Sequence, residues 1–418
     1  MLSYLRGRIQ TSGPLTVAHY MREALTNPEW GYYMKREVFG RQGDFITSPE
    51  ISQTFGEVIG AWLLHQWRAT GAQSPVRLIE LGPGRGTLTS DILRTVCQFG
   101  DVRSSLHVHL VEISPYMRGR QRRLLCPGAT DSGSSTGGGN EPLVTASTQE
   151  PAMSDEHVFK EHKDLGKEHQ SRFGVPVTWH ASLDDVPAGH SLVIGHEFLD
   201  ALPVHQFQKT EQGWREVLVD VNDGHGSDEP NPPPFRFVLS PKPTPALAYI
   251  ETFHRESGRD RLEISPQLAV VAQQICERLV STGGMSLLVD YGEAEPRAEF
   301  SFRSFHQHSL HDALRDPGNA DLTADVDFSY LRHIAEPHVQ CYGPVPQGFF
   351  LHSLGIKERL QVLLKKSNEE QRKQLISGLQ HLTSPKQMGM RFKMFAMTPK
   401  QCVVAPPPFV LRDTAATP

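Results

Sequence analysis

Apolar residues follow two different spacings along this chain, and the two alternate. The segments 76–81, 106–112, 175–180, 191–196 and 285–292 have the length and apolar content of strands. In the segments 16–25, 49–67, 87–99, 268–279 and 357–381 the apolar positions repeat as they do on one face of a helix. Strands that alternate with helices predict a mainly parallel sheet covered on both faces, with ligands bound at the carboxyl ends of the strands.

Capping and turn residues refine the ends of these elements. Thr16 is the predicted cap of the first helix, and Asn27 with Pro28 ends it. Ser48 is the predicted cap of the strongest helix, which Gly71 ends. The segments 204–207 and 214–220 are predicted to form a hairpin, followed by a strand at 235–239.

Changes in composition divide the chain into four parts. Residues 1–70 are predicted to form an N-terminal helical segment with a lid loop at 39–50, although a plain connector is an equal alternative for that loop. Residues 71–300 are the predicted core, 301–405 complete it and add elements on the substrate side, and 406–418 are a tail. The stretch at about 127–172 is too poor in apolar residues to repay its ordering entropy, so we expect a disordered insertion there.

Charge and composition exclude several classes of protein. The formal net charge is -5, without a basic footprint, so nucleic acid is not an expected partner. No apolar run approaches the roughly 18 residues of a transmembrane helix. The 5 cysteines are scattered without C-x-x-C spacing, which indicates a reducing compartment and no zinc site. His306, His308 and His311 match no standard metal motif, so we expect no metal.

The first 22 residues contain three arginines and no acidic residue, a composition that hints at import into an organelle. Residues 13–16 already resemble the start of folded structure, which leaves about a dozen residues for such a signal. Composition by itself leaves the compartment open.

Three glycines at alternate positions, Gly82, Gly84 and Gly86, follow the first core strand and open a helix. A dinucleotide-binding G-x-G-x-x-G turn requires glycine at position 87, where Thr87 stands. Glu80, at the end of the strand, would repel a pyrophosphate but suits a cationic ligand. S-adenosylmethionine carries a sulfonium and an ammonium group, so it fits this turn better than a nicotinamide cofactor.

A second acid, Glu112, ends the next strand, where βαβ nucleoside sites place the carboxylate that holds the ribose hydroxyls. The predicted cofactor-binding residues are therefore Glu80, Gly82, Pro83, Gly84, Gly86 and Glu112. Two alternatives stay open: an ordinary glycine-rich loop with a surface acid, and a nicotinamide-dependent oxidoreductase.

Glu197 and Asp200 follow the fourth strand directly and are the predicted catalytic pair. Two carboxylates can grip a guanidinium through paired, charge-assisted hydrogen bonds, which points to an arginine as the methyl acceptor. The alternative is that both are solvated loop residues or helix caps. The acidic segment 316–328 is a candidate second wall of the acceptor site, with Asp327 as a helix cap.

Five blocks of sequence, 43–53, 80–87, 196–203, 321–328 and 388–392, together resemble the MidA family of S-adenosylmethionine-dependent methyltransferases. The resemblance covers nearly the whole chain apart from 127–172 and the tail. It implies an α/β fold, namely a seven-stranded class I (Rossmann-like) S-adenosylmethionine-dependent methyltransferase core with added helical and β elements. It also implies that Gly82, Gly84 and Gly86 cradle the cofactor and that Glu112 holds its ribose.

The same resemblance implies a location in the mitochondrial matrix and a protein substrate. The implied activity is symmetric dimethylation of an arginine in a core subunit of respiratory complex I, which supports assembly of that complex. A different class of function is kept as an alternative: a methyltransferase-like assembly chaperone that binds the cofactor and a complex I subunit without essential catalysis.

Overall fold

The computed structural model describes residues 1–35, 46–128, 164–224, 231–253, 258–295, 298–402 and 405–409. Most of the predicted lid loop and of the predicted insertion lies outside these ranges. The helices are α1 Leu2–Ser12, α2 Val17–Thr26, α3 Tyr32–Lys35, α4 Ser48–Ile51, α5 Gln53–Ala69, α6 Thr87–Val96, α7 Gly100–Ser105, α8 Pro115–Leu125, α9 Ala248–Phe253, α10 Pro266–Thr282, α11 Phe328–Ala335, α12 Gln347–Ser353, α13 Ile356–Leu364, α14 Glu369–Thr383 and α15 Met388–Arg391.

Seventeen strands lie in the described ranges: β1 Leu15–Thr16, β2 Val76–Leu81, β3 Leu106–Val111, β4 Glu168–Gln170, β5 Pro176–His180, β6 Ser191–His196, β7 His205–Thr210, β8 Gly213–Val221, β9 Phe235–Leu239, β10 Arg261–Ile264, β11 Gly284–Glu293, β12 Arg303–His306, β13 Ser309–His311, β14 Asp321–Thr323, β15 Val326–Asp327, β16 Val339–Pro346 and β17 Phe392–Pro399. Short 3-10 turns occupy Leu183–Asp185 and Pro245–Leu247.

The main sheet has the strand order β16-β17-β11-β6-β2-β3-β5-β4. Strands β11, β6, β2, β3 and β5 run parallel, and β17 is antiparallel to both of its neighbours. Without the edge strand β4, this is the seven-stranded core that the resemblance implied. The prediction of a mainly parallel sheet is confirmed, and the carboxyl ends of β2, β3, β6 and β11 meet at one edge.

Each face of the sheet buries its own apolar cluster. On one face, α5 and α6 pack through Trp62, Trp67 and Leu88 onto Val76 and Leu78 of β2. On the other face α10 and α11 contribute the second cluster, which includes Ile79 and Leu81 of the same strand. Four of the six residues of β2 are apolar, and they are divided between the two clusters because the strand is buried on both sides.

Antiparallel elements are added beside this core. The second sheet has the order β1-β8-β7-β10, with β9 beside β8, and the third has the order β13-β12-β14. Strands β7 and β8 form the predicted hairpin. Strands β7 to β10 are inserted after β6 and strands β12 to β14 follow β11, so they extend from the carboxyl edge of the main sheet, where a substrate would approach.

Two helices predicted as continuous are each broken. Ser52 has an extended backbone, with φ of −157°, and its side chain caps α5, while a Thr47–Glu50 capping box begins α4. The prediction of one helix capped by Ser48 is therefore wrong. The predicted helix at 357–381 is likewise two helices, because Asn368 and Gln371 form a second capping box.

Three boundaries also differ from the prediction. Folded structure begins with α1, whose Leu5 and Ile9 are buried, and not at residues 13–16. The predicted insertion at 127–172 extends too far toward the C-terminus, since β4 (Glu168–Gln170) already pairs with β5 at the sheet edge. The tail does not begin at residue 406, because Phe409 is buried against Trp62.

Candidate functional site

A cavity of about 1020 Å³ opens at the carboxyl edge of the main sheet. It is lined by predicted site residues from three separate segments of the chain, namely Gly82, Glu112 and the pair Glu197 and Asp200. Gly84 lines it as well. A cavity of this size is large enough for a nucleoside cofactor together with an acceptor side chain.

The glycine turn has a backbone that other residues rarely adopt. Gly82, Gly84 and Gly86 have φ of 59°, 52° and 83°, all in the left-handed region. A Cβ added at Gly82 would lie 2.6 Å from Cδ2 of Phe198. The turn therefore leaves a surface without side chains, on which a ligand can approach the backbone closely.

Gln121 of α8 connects the turn with the second strand, and sequence reasoning missed it. Its Nε2 donates to the carbonyl of Gly84 at 2.7 Å and to Glu112 Oε2 at 3.2 Å. Its Oε1 accepts from Trp179 Nε1 at 2.8 Å. Neither α8 nor this buried amide gives a distinctive sequence signal, because a single Gln on a basic helix looks like a surface residue.

Glu112 lies at the cavity with its carboxylate already oriented. Oε1 accepts from the backbone N–H of Ser114 at 2.8 Å. Burial raises the pKa of Glu112 to about 7, against the opposing effect of these hydrogen bonds. A carboxylate offers about four acceptor positions, so Glu112 keeps the capacity to bind hydroxyl groups of a ribose.

Glu80, Pro83 and Gly86 do not line the cavity. Glu80 lies beneath the turn, where it accepts a hydrogen bond from the Thr89 hydroxyl of α6. Burial raises the pKa of Glu80 to about 8. Gly86 is the left-handed N-cap of α6. These residues support the turn from the side that faces away from the cavity. Their direct contact with a ligand stays a prediction.

Glu197 holds its carboxylate in the cavity by contacts with a distant helix. Oε1 accepts from the backbone N–H of Ser48 at 3.0 Å and from its hydroxyl at 3.2 Å. Burial raises the pKa of Glu197 to about 8, and the neighbouring Asp200 adds to this effect. The backbone of Glu197 has φ of 48°, a strain of about 1 to 3 kcal/mol that non-glycine residues show mainly at functional sites.

Asp200 is buried and is oriented by two hydroxyl groups. Its Oδ2 accepts from Thr323 Oγ1 at 2.7 Å and from the Tyr291 hydroxyl. Burial raises the pKa of Asp200. Glu197 and Asp200 are therefore neither solvated loop residues nor helix caps, which were the alternatives for both.

The acidic segment 316–328 contributes to the wall through Asp321, which accepts from Tyr33 Oη at 2.9 Å. Asp327 caps α11, since its side chain accepts from the N–H of Tyr330. Two arginines from other segments, Arg303 and Arg391, also line the cavity. They were not predicted as site residues.

No group of three or more His, Cys, Asp or Glu side chains among the residues described could hold a metal ion. The His311 ring lies 5.6 Å from that of His306, and His311 Nε2 lies 2.7 Å from Asp316 Oδ2. In the described part of the chain, no helix is both long and apolar enough to cross a membrane.

The strand order, the three-glycine turn at the carboxyl edge and the acid after the second strand define a class I (Rossmann-like) S-adenosylmethionine-dependent methyltransferase. A family model described as S-adenosyl-L-methionine-dependent methyltransferase matches residues 58–345. The chain belongs to this family, in agreement with the resemblance of its motifs to MidA proteins.

Curated relatives and solved structures agree with this assignment. The chain is 45% identical over 404 residues to proteins from Mus musculus and Homo sapiens, each named "Protein arginine methyltransferase NDUFAF7, mitochondrial". These alignments cover 96% of this chain and 85% and 84% of the relatives. The printed names support the predicted mitochondrial location.

The fold matches a crystal structure of a COG1565 superfamily member and likely methyl transferase from Burkholderia thailandensis bound to S-adenosyl-homocysteine. The TM-score is 0.69 at 23% identity, and the match covers 96% of this chain and 92% of the other. S-adenosylmethionine is the cofactor of this family, and the glycine turn and Glu112 fit it.

Proposed function

We propose that this protein transfers methyl groups from S-adenosylmethionine to an arginine of a protein substrate in the mitochondrial matrix. The proposed substrate is a core subunit of respiratory complex I, and the proposed product is symmetric dimethylarginine, which would support assembly of the complex. The printed names of the 45% identical relatives support arginine as the acceptor.

The observation that carries the proposal is the pair Glu197 and Asp200 on the wall of the cavity that also contains the glycine turn. The observed hydrogen bonds from Ser48 go to Oε1 of Glu197, and those from Thr323 and Tyr291 go to Oδ2 of Asp200. One oxygen of each carboxylate holds its orientation, and the other is available for a guanidinium. A planar guanidinium is the group that two such acceptors bind best.

S-adenosylmethionine, held by the glycine turn and Glu112, would supply a methyl group on a sulfonium: its S–CH3 bond would break as the N–CH3 bond forms, and the electron pair would stay on sulfur. The two carboxylates draw the positive charge of the guanidinium toward the nitrogens that they bind. The remaining nitrogen keeps more lone-pair density and is oriented for in-line attack. After the transfer that nitrogen loses one proton to solvent, because the two carboxylates stay bound to the other nitrogens.

Glu197→Gln and Asp200→Asn test the role of the pair. Each variant keeps the size of the side chain but removes the charge, so we expect methylation to fall at least about a hundredfold. Intact-mass analysis of a purified complex I core subunit, incubated with enzyme and labelled cofactor, measures the product. Glu211→Gln, at an exposed position of the β7–β8 turn, is the matched control and retains full activity.

The same variants separate an enzyme from a cofactor-binding assembly chaperone. Calorimetry with S-adenosylhomocysteine establishes that each variant still binds the cofactor product. A chaperone predicts that complex I assembly in cells is unchanged by Glu197→Gln, whereas the proposed enzyme predicts loss of assembly together with loss of methylated arginine. Wild-type protein that binds the cofactor but labels no arginine in any complex I core subunit would overturn the proposed function.

A further inference from the structure

Two adjacent residues near the carboxyl end of strand β11, Asp290 and Tyr291, both hold the loop after β6. Asp290 Oδ2 accepts from the backbone N–H groups of Phe198, Leu199 and Asp200, at 3.2, 2.9 and 3.2 Å. The next residue, Tyr291, donates its hydroxyl to the Asp200 side chain. One strand end therefore fixes both the backbone and the carboxylate of Asp200.

The ring of Tyr291 is held in turn by two guanidinium groups. Arg303 lies 5.1 Å and Arg391 5.7 Å from the ring centroid, within the range of cation–π attraction. Both arginines bind Oδ1 of Asp325, at 2.7 and 2.5 Å. The positive charges beside the ring lower the pKa of Asp325 even though its burial acts in the opposite direction.

Two of the sequence blocks that carry the family resemblance meet at this point. Asp325 belongs to the block 321–328 and Arg391 to the block 388–392, and neither has a part in cofactor binding or in contact with the acceptor as described above. Arg391 lies against the Tyr291 ring and Asp325 binds Arg391 and Arg303, so both blocks contribute to the same site.

We propose that Tyr291 is a positioning residue for the arginine methylation proposed above: it holds the Asp200 carboxylate charged and oriented, and Arg303, Arg391 and Asp325 hold Tyr291. A carboxylate buried this deeply tends to become neutral, and a neutral Asp200 cannot bind a guanidinium. Donation from a hydroxyl opposes that tendency because a hydrogen bond to the charged form stabilises it. This inference rests on the proposed function.

Other charged and titratable groups also face Asp200 and set the background for a pH measurement. They are Tyr33, Glu197, Asp290 and Arg303, while Asp321 faces Tyr33 and Tyr291. The negative groups in this set disfavour the charged form of Asp200 and Arg303 favours it. A variant that changes only the Tyr291 hydroxyl leaves all of them in place.

Tyr291→Phe is the test, since it removes one hydroxyl and keeps the ring between its arginines. A hydrogen bond to a charged group is worth about 1.5 to 3 kcal/mol, so the alkaline shift should be about 1 to 2 pH units. We expect the rising limb of kcat/KM against pH to move up by that amount, with at least a tenfold loss at pH 7. Tyr342→Phe, a buried tyrosine of β16 that does not line the cavity, is the matched control and leaves the profile unchanged.

A purely structural role for Tyr291 would lower the rate equally at every pH, and that result would overturn the inference. A second measurement does not depend on any substrate: carbon NMR titration of protein labelled at the Asp carboxyl carbons, with Asp200→Asn to identify the signal. The Asp200 signal should titrate at higher pH in Tyr291→Phe than in wild type, and an unchanged titration contradicts the proposal. If wild-type protein methylates no arginine but the Asp200 signal titrates at higher pH in Tyr291→Phe, the proposed function is contradicted and the positioning role of Tyr291 is not.

Discussion

At the scale of single residues, several carboxyl groups of this site are buried in a way that costs folding free energy. Burial raises the pKa of Glu80 from 4.5 to about 8, and the hydrogen bonds from Thr89 oppose this effect only in part. A cationic ligand bound nearby would compensate for such charges. The protein should therefore be least stable to unfolding when no ligand is bound. Because the buried groups are acids, this loss of stability depends on pH.

Glu80→Gln is predicted to stabilise the protein without cofactor at alkaline pH. The folded-state pKa lies above the unfolded value, so the stability contributed by Glu80 is fully present below pH 4.5 and is lost as pH rises through 8. The amide loses nothing over this range and keeps an oxygen for Thr89. The gain should be about 1 to 3 kcal/mol at pH 9 and should vanish near pH 4.

Chemical denaturation at pH 4, 7 and 9 measures this difference, with Glu211→Gln as the exposed control. Equal gains at all three pH values would contradict the assignment of a neutral, buried Glu80.

Sequence reasoning at this scale identified acids and glycines by their place at strand ends, and the cavity contains most of them. It could not identify their partners. Ser48 appeared to be a helix cap, yet its N–H and hydroxyl bind Glu197, 149 positions away. A hydroxyl has the same local signature whether it caps a helix or orients a carboxylate, so the difference arises only from tertiary contacts.

At the scale of elements, the sequence predicted where helices are present but not where a helix is interrupted. The periodicity at 49–67 continues through Ser52, because α4 and α5 both direct apolar residues to the same face. The break depends on capping at Thr47 and Ser52, which compete with helix continuation for the same hydrogen bonds. The helix α8, with its many arginines, lacks an apolar stripe that would have predicted it.

Gln121→Ala is predicted to weaken both the fold and the cofactor site, because the one Gln121 amide bonds to the Gly84 carbonyl, to Glu112 and to Trp179. The substitution leaves the buried Trp179 N–H without its acceptor, which costs about 1 to 3 kcal/mol. Without its tie to Gly84, the turn is less ordered, and affinity for S-adenosylhomocysteine should fall several-fold.

Denaturation and calorimetry test the two effects in one preparation. Gln98→Ala, an exposed glutamine that bonds only within its own helix end, is the matched control and should change neither quantity. A stable Gln121→Ala with full affinity would show that the turn is held by its own backbone.

At the scale of the whole molecule, the order of alternating strands and helices predicted the parallel sheet and its ligand-binding edge. It did not predict the antiparallel pairing of the late strands β16 and β17, whose apolar content equally suits a parallel arrangement. Nor could it show that segments from both ends of the chain close the structure. Contacts such as Tyr33 with Asp321 join residues 288 positions apart, and no local pattern encodes them.

The last described segment provides the final prediction, because composition assigned it to a frayed tail. Phe409 is 4% exposed and lies 5.5 Å from the ring of Phe350 and 6.4 Å from that of Trp62. Trp62 Nε1 also donates to the carbonyl of Pro407 at 2.5 Å. Prolines exclude regular structure in this segment but do not prevent one aromatic side chain from packing into the core.

Phe409→Ala should therefore destabilise the protein by about 2 to 4 kcal/mol, toward the lower part of the range for buried Phe because a chain end can partly collapse into the space. Phe349→Ala is the matched control: its ring is 50% exposed, so the expected change is below about 0.5 kcal/mol. Thermal and chemical denaturation compare the two variants. If both variants unfold like wild type, the segment after residue 405 does not contribute to the core; if only Phe409→Ala is destabilised, the Phe409 side chain is part of the core.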